Sequence, residues 1–359
     1  ATVNIKSGGT LNLNAGTDMQ INEGNNTGIR VVNVEGLLQG TAAGGSYIDL
    51  NRNATAGGTT TFNITNGGVV AVDAIVGKAN CTLNFANGTL KATASDANFI
   101  GGGFTVNILP GGAILDTAGY NPTVVGNLLN NGVDQDGGLT KNGNGTLSLN
   151  GVNTYTNVTT VNAGTLGGTG TIAGRVLVNS GAGLAPGSGG IGTLTVNGNL
   201  TLNGLSTNMF EVNGTTSASD RVAAGASVTY GGVLKIVPTG TFTAGQQFLL
   251  FTGAGATNAS NFASVQSTVS GATFGFTNGV LTVLSVGPSG PAQLTNSVSG
   301  STLSLSWPAG QGWRLQMQTN SLSTGLGTNW TYITDGTLTS TNIAIDATKP
   351  TVFYRLVYP

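Results

Sequence analysis

Apolar residues recur at every second position along most of this chain, in short runs that stop at Gly or Asn-Gly. That is the period of a strand, because alternate side chains of a strand face opposite sides of its sheet. Val3 and Ile5 precede Gly8-Gly9, and Leu11 and Leu13 follow it. Phe62 and Ile64 precede Gly67-Gly68, with Val70 and Val72 beyond. The unit returns as TLNFANGTLKA around Asn87-Gly88, as FTVNILPGGAILDTAG around Gly111-Gly112, and again as VLVNSGAGLAPGSG and LTVNGNLTLNG. No window carries the i, i+3, i+4, i+7 spacing of an amphipathic helix, and Gly interrupts every candidate.

The corners fall about 20 to 30 residues apart, the interval of one coil in a parallel β-helix. One coil cannot bury its inward side chains alone, whereas stacked coils set like residues over one another in a continuous narrow core. Gly and Asn suit the corners because they accept positive φ at little steric cost. Asn recurs beside them at Asn66, Asn87, Asn142 and Asn162, which predicts inward amide ladders along the stack. An antiparallel sandwich with Gly-rich hairpins shares the local pattern. Repetition over about 200 residues without helical segments favours the solenoid.

Composition narrows the chemistry. The 359 residues carry a net charge of −1 with 7% charged residues, which removes the electrostatic basis of nucleic-acid binding and of attachment to anionic membranes. There is no histidine, so Ser–His triads and histidine metal sites are excluded. The single cysteine, Cys81, alternates with Leu83 and Phe85 and is expected on an inward face, as a structural thiol. No stretch is long and apolar enough for a membrane-spanning helix. Opening on Ala1 rather than Met leads us to expect a mature chain left after leader removal, in an extracellular or cell-surface setting.

The stretch GGLTKNGNGTLSLNGVNTYTNVTTVNAGTLGGTGTI, residues 137–172, resembles the autotransporter-associated β-strand repeat, or passenger-associated transport repeat. The resemblance rests on Gly137-Gly138-Leu139-Thr140-Lys141, Gly145-Thr146-Leu147-Ser148-Leu149, Asn153-Thr154-Tyr155-Thr156 and Thr160-Val161-Asn162-Ala163-Gly164-Thr165-Leu166. It departs at Asn157-Val158, where that family usually has Gly-Gly. The resemblance implies a secreted β-helical surface protein of Gram-negative type, and carries architecture and export context rather than catalysis. Residues 205–285 resemble the segment that follows the β-helix in such passengers. The 70-odd residues beyond cannot supply a membrane barrel.

The expected organisation is therefore all-β: a right-handed parallel β-helix over 1–204, a β-rich domain over 205–286, a Pro-bearing linker over 287–292, and a β-sandwich module over 293–359. The last module is similar in outline to fibronectin type III and holds all three tryptophans, Trp307, Trp313 and Trp330, which are expected to fill its core.

Catalysis finds little support. The 13 carboxylates are scattered singly, apart from Asp134 and Asp136 in GVDQDGGLTK. That pair lacks the rest of a calcium loop and is expected to shape a turn. GTGTIAG and GSGGIG are not followed by a helix whose N-terminus could face a phosphate, so they are corners. No enzyme activity, cofactor or metal is expected.

The leading functional expectation is a secreted structural protein that polymerises head to tail through uncapped β edges, at Val3 and Ile5 on one side and at Phe353, Tyr354, Leu356 and Tyr358 on the other. Its partner is then another copy of itself, with no nucleic acid and no membrane insertion. The alternative is a carbohydrate-binding adhesin, contacting a surface polysaccharide through Trp313 and Trp330. A polysaccharide lyase or hydrolase acting through Asp134 or Asp136 ranks third.

Overall fold

The computed structural model describes residues 1–14, 18–21, 28–40, 46–51, 58–132, 136–253, 261–268, 271–287, 292–308, 312–349 and 351–358. Among them every regular element is a strand. Two compact units divide the chain, Ala1–Thr268 with Phe274–Val283, and Val269–Thr273 with Leu284–Pro359.

The first unit is a parallel β-helix. One face is a sheet of ten strands, from Thr10–Leu13 to Val228–Thr229, each paired in parallel with the strand one coil away. A second face holds six strands, from Thr2–Ile5 to Leu128–Asn130. On the third, a three-stranded sheet ends at Ala74–Val76, and parallel bridges Ile75–Ile100 and Ile100–Val124 carry the pairing into an eight-stranded sheet. Coil length follows from residues that stack directly: Asn4, Asn33, Asn63, Asn84 and Asn107 are separated by 29, 30, 21 and 23 residues.

Inward positions form columns along the axis. Val3, Val32, Phe62, Leu83, Val106 and Leu128 lie in register on the second face. Ile5, Val34, Ile64, Phe85 and Ile108 form the neighbouring column. Each large apolar side chain buried this way stabilises the stack by about 1.5–3 kcal/mol relative to exposure. Cys81 occupies an inward position and is buried, as expected of a structural thiol. Burial also pushes its thiol pKa up, which disfavours the reactive thiolate.

The corner after Thr59–Thr65 shows why the glycines stand where they do. Asn66 and Gly67 take φ of 53° and 83°, a left-handed turn that Asn and Gly accept with least penalty. At Gly68 the constraint is contact, since a methyl there would overlap the Val34 carbonyl oxygen of the preceding coil.

The stack runs past residue 204, the expected end of the helix. Thr207–Asn213 pairs in parallel with Val233–Thr239, and that strand with Ser264–Ser267. Nor is the far end bare. Gln247–Leu249 pairs antiparallel with the strand Val280–Val286, and Phe276 lies edge-on to Tyr230 and Phe262, each at 5.0 Å between ring centres. Phe251 joins the cluster, 5.0 Å from Tyr230 and 5.1 Å from Phe210. This aromatic layer covers the last coil, whose apolar interior would otherwise face water.

The second unit has two antiparallel sheets of three strands. One orders Thr295–Ser299, Thr302–Ser306 and Ser340–Ala344, and the other Thr331–Tyr332, Arg314–Thr319 and Val352–Val357. Leu305, Trp307, Trp313 and Leu315 are its buried core, with Leu303, Ile343, Tyr354 and Leu356 packed around them.

Candidate functional site

The residues of the repeat hold most of the unusual chemistry of the first unit, and it is turned inward. Asp136 is 2% exposed and each of its oxygens is spoken for. Oδ1 accepts from the N–H groups of Gly138 and Asn157, at 3.1 and 3.0 Å. Oδ2 accepts from the N–H and the hydroxyl of Thr156, at 2.6 and 2.9 Å. Burial alone would raise its pKa, but these donors outweigh burial and set it below the usual carboxylate range. Asp136 clamps a corner to the coil above it, as the expected turn role requires. Asp134 lies outside the described residues.

Lys141 is fully buried, in a column that otherwise reads Leu11, Leu38, Val70, Leu90, Leu115, Val161, Val178 and Leu202. Its ammonium donates to Thr117 Oγ1 at 2.9 Å, to the Asn142 carbonyl at 3.1 Å and to the Gly143 carbonyl at 2.6 Å. Desolvation lowers its pKa to about 8, against a smaller opposing effect of Asp116. Gly164 leaves room for the ammonium, because a Cβ there would come within 2.8 Å of it. Sequence reasoning did not single out Lys141. The signal was present, since Leu139 and Lys141 share parity and Leu139 faces the core.

Asn153 splices two faces. Its Oδ1 accepts the Leu128 N–H at 3.1 Å, and its Nδ2 donates to the Gly151 and Thr171 carbonyls at 3.1 and 3.0 Å. The side chain thus stands in for backbone where the six-stranded face ends. Tyr155, also fully buried, shares a 2.6 Å hydrogen bond with Thr159 Oγ1. These groups organise a coil change and leave no nucleophile or proton relay open to a substrate.

Amide ladders are present, but they run along the outside. Nδ2 of Asn33, Asn63, Asn84 and Asn107 each donates to Oδ1 of the Asn one coil before, from Asn4 onward, at 2.7–2.8 Å. A second ladder joins Asn142, Asn162, Asn179 and Asn203 at 3.0, 2.8 and 3.2 Å. The expected inward direction is corrected by parity: Phe62 and Ile64 face the core, so Asn63 between them faces out. Of the corner residues expected to take part, Asn142 and Asn162 do. Asn66 instead donates to Glu35, and Asn87 takes the positive φ of its turn.

The expected assembly edges fall on two different strands. Val3 is 45% exposed although its column mates Val32 and Phe62 are at 2% and 0%, while Ile5 is buried. Strand Thr2–Ile5 has one neighbour in its sheet among the described residues, and so has Val352–Val357. Within the latter, Phe353 faces away from the core, Tyr354 and Leu356 pack against it, and Tyr358 beyond the strand lies edge-on to Trp313 at 5.7 Å. Of the two tryptophans expected to meet a glycan, Trp313 is buried core and Trp330 lies at the surface, half-buried. Among the described residues, no group of three or more His, Cys, Asp or Glu could hold a metal, and no helix is long and apolar enough to cross a membrane.

A model of the passenger-associated transport repeat matches residues 139–167. The buried Lys141, Asn153 and Tyr155 lie inside that match, and Asp136 just before it. No curated protein matches the chain. The chain is thus an all-β, passenger-like β-helical protein that carries this repeat.

Proposed function

We propose that the chain is an extracellular structural protein, not an enzyme, and that it joins copies of itself through open strand edges. The observation that carries this reading is Val3: an inward core position that stands half-exposed on strand Thr2–Ile5, which has one neighbour in its sheet among the described residues. Such an edge accepts another coil, from a preceding segment or from a second molecule, and the proposal is the second molecule. The aromatic layer at the far end of the stack removes that end as a partner. The free edge of Val352–Val357 takes its place, giving a heterologous contact that propagates. The repeat match supports the extracellular setting, and the engagement of Asp136 in hydrogen bonds supports a non-catalytic role.

Sedimentation and negative-stain electron microscopy over a range of concentrations test it. Rods of fixed axial repeat are expected, and Val3→Lys should return them to monomers without loss of fold. Monomers at every concentration would overturn the reading.

A further inference from the structure

The outer face of one sheet in the second unit gathers groups that the rest of this chain avoids. Gln316 lies opposite Tyr332 on one neighbouring strand and Arg355 on the other, so the three form one row across the sheet. Arg355 donates from Nε to Gln316 Oε1 at 2.8 Å, and its guanidinium lies 4.1 Å above the ring of Trp330. Trp330 is itself fixed, donating from Nε1 to the Gly327 carbonyl at 2.9 Å. Arg314, two residues before Gln316 on the same face, holds its guanidinium 5.8 Å from the centre of the Tyr332 ring. The Tyr332 ring remains 54% exposed.

Arg314 and Tyr332 line an open depression of about 350 Å³ with Ile333, Thr334 and Asp335. Neither guanidinium has a carboxylate within ion-pair distance among the described residues. The Asp335 carboxylate is turned to its own loop, where Oδ1 accepts from the N–H and hydroxyl of Thr337 at 3.0 and 2.6 Å. The Nε of Arg314 is buried with no partner. Two arginines, each on an aromatic ring, against the one carboxylate of Asp335, whose charge acts on Arg314, leave this face net positive in a chain with only 12 basic residues.

We infer that this face binds an acidic, carboxylate-bearing polysaccharide. Charge complementarity sets the class. A guanidinium meets a carboxylate through two parallel hydrogen bonds, and stacking on a ring holds its plane ready for that geometry. The exposed face of Tyr332 offers an apolar platform for the C–H face of a sugar ring. Arg355 lies on the strand Val352–Val357 invoked for assembly, whereas Arg314, Tyr332 and the depression they line lie off that strand. The site replaces the buried Trp313 with Arg314 and Tyr332 as the groups that touch a glycan.

The test is titration of the full chain with oligogalacturonate, its methyl ester, dextran sulfate and anionic lipid vesicles. Oligogalacturonate is expected to bind, and its methyl ester at least about tenfold more weakly, because esterification removes the charge the arginines read. Arg314→Gln and Tyr332→Ala should each weaken oligogalacturonate about tenfold or more while leaving the melting temperature near that of the parent. Four outcomes would overturn the inference: no binding, equal binding of the ester, tighter binding of dextran sulfate or vesicles, or full affinity in both variants. Tyr332 is exposed, so a melting transition like the parent's in Tyr332→Ala separates loss of the site from loss of the fold, and the same measurement on Arg314→Gln checks its half-buried position.

Discussion

Lys141 donates a 2.9 Å hydrogen bond to Thr117 Oγ1 across one coil boundary, in the interior of a core otherwise apolar along that column. Thr117 in turn reaches the carbonyl oxygens of Asn142, Gly143 and Asn144, the nearest at 2.6 Å. A buried ammonium is thus tied to a corner of its own coil and to the coil before it. Hydrogen bonds support the charge, with a smaller Coulombic contribution from Asp116, and no carboxylate lies within ion-pair distance among the described residues.

That arrangement predicts a pH profile. The folded chain holds Lys141 at a pKa of about 8, below its ordinary 10.5, so the unfolded chain binds the proton more tightly. Stability must then rise with pH between about 8 and 10.5, and fall again as the pH is lowered through 8. At about 1.4 kcal/mol per pH unit, the climb amounts to about 3 kcal/mol. Lys141→Met should lack it. Burial holds the Tyr155 and Tyr230 hydroxyls well above their ordinary range, which costs stability above about pH 10 in both proteins. The difference between parent and variant in urea titrations is therefore the quantity to measure. A difference that does not change between pH 7 and 10 would refute the caged charge.

The outer ladder predicts a graded response. Asn63 donates to Asn33 and accepts from Asn84, so Asn63→Ala breaks two links and should cost about 1–2 kcal/mol. Asn4 sits at the exposed end and accepts one link, so Asn4→Ala should cost less than about 0.5 kcal/mol. A double-mutant cycle between Asn63 and Asn84 should show a coupling energy, and strict additivity would mean the ladder contributes nothing as a unit.

These two features mark where sequence reasoning ends. The strands, corners and coil spacing were legible because inward residues repeat with period two and Gly stands where coils touch. The phase of a polar residue was legible too, but only by counting from its apolar neighbours. Lys141 shares parity with Leu139 and goes in, whereas Asn63 shares parity with Thr61 and stays out. Reading the corners rather than the parity reversed the ladder. The aromatic layer had no periodic signal at all: Tyr230, Phe251, Phe262 and Phe276 come from separate segments that only the completed stack brings together. The stack past residue 204 was masked by an antiparallel excursion, in which Val212 and Asn213 pair back with Ser219 and Ala218 before the parallel path resumes. At the surface of the second unit, aromatic content alone did not separate core from contact. Trp313 packs into the core, whereas Trp330 stands half-buried under the Arg355 guanidinium.

Asp220 predicts the opposite slope to Lys141. It is 2% exposed, accepting from the N–H groups of Gly192 at 2.9 Å and Glu211 at 2.7 Å. Burial raises its pKa to about 6, those two donors oppose the shift, and the Glu211 charge adds to it. The folded state therefore holds this proton more tightly than the unfolded state. The stabilisation is complete below about pH 4 and is lost as the pH rises through 6, by up to about 3 kcal/mol. Asp220→Asn cannot titrate and should flatten stability over that window. A parent protein whose stability does not fall between pH 4 and 6 relative to the variant would contradict the assignment.

Phe276 tests whether the far end of the stack is a cap or an ornament. Its ring meets Tyr230, Phe251 and Phe262 at 5.0, 5.9 and 5.0 Å, and it is only 6% exposed. Phe276→Ala removes the three ring contacts that Phe276 makes with Tyr230, Phe251 and Phe262, a loss of about 3–5 kcal/mol for a buried aromatic. In a solenoid that loss does not spread evenly, because each coil touches only its neighbours. Hydrogen exchange should show lost protection first in Arg221–Ala224, Val233–Thr239 and Phe251–Thr252, while Thr59–Thr65 and Cys81–Ala86 keep theirs. Equal loss along the whole stack would make the first unit one cooperative block. No loss at all would leave the aromatic cluster without a part in closing it.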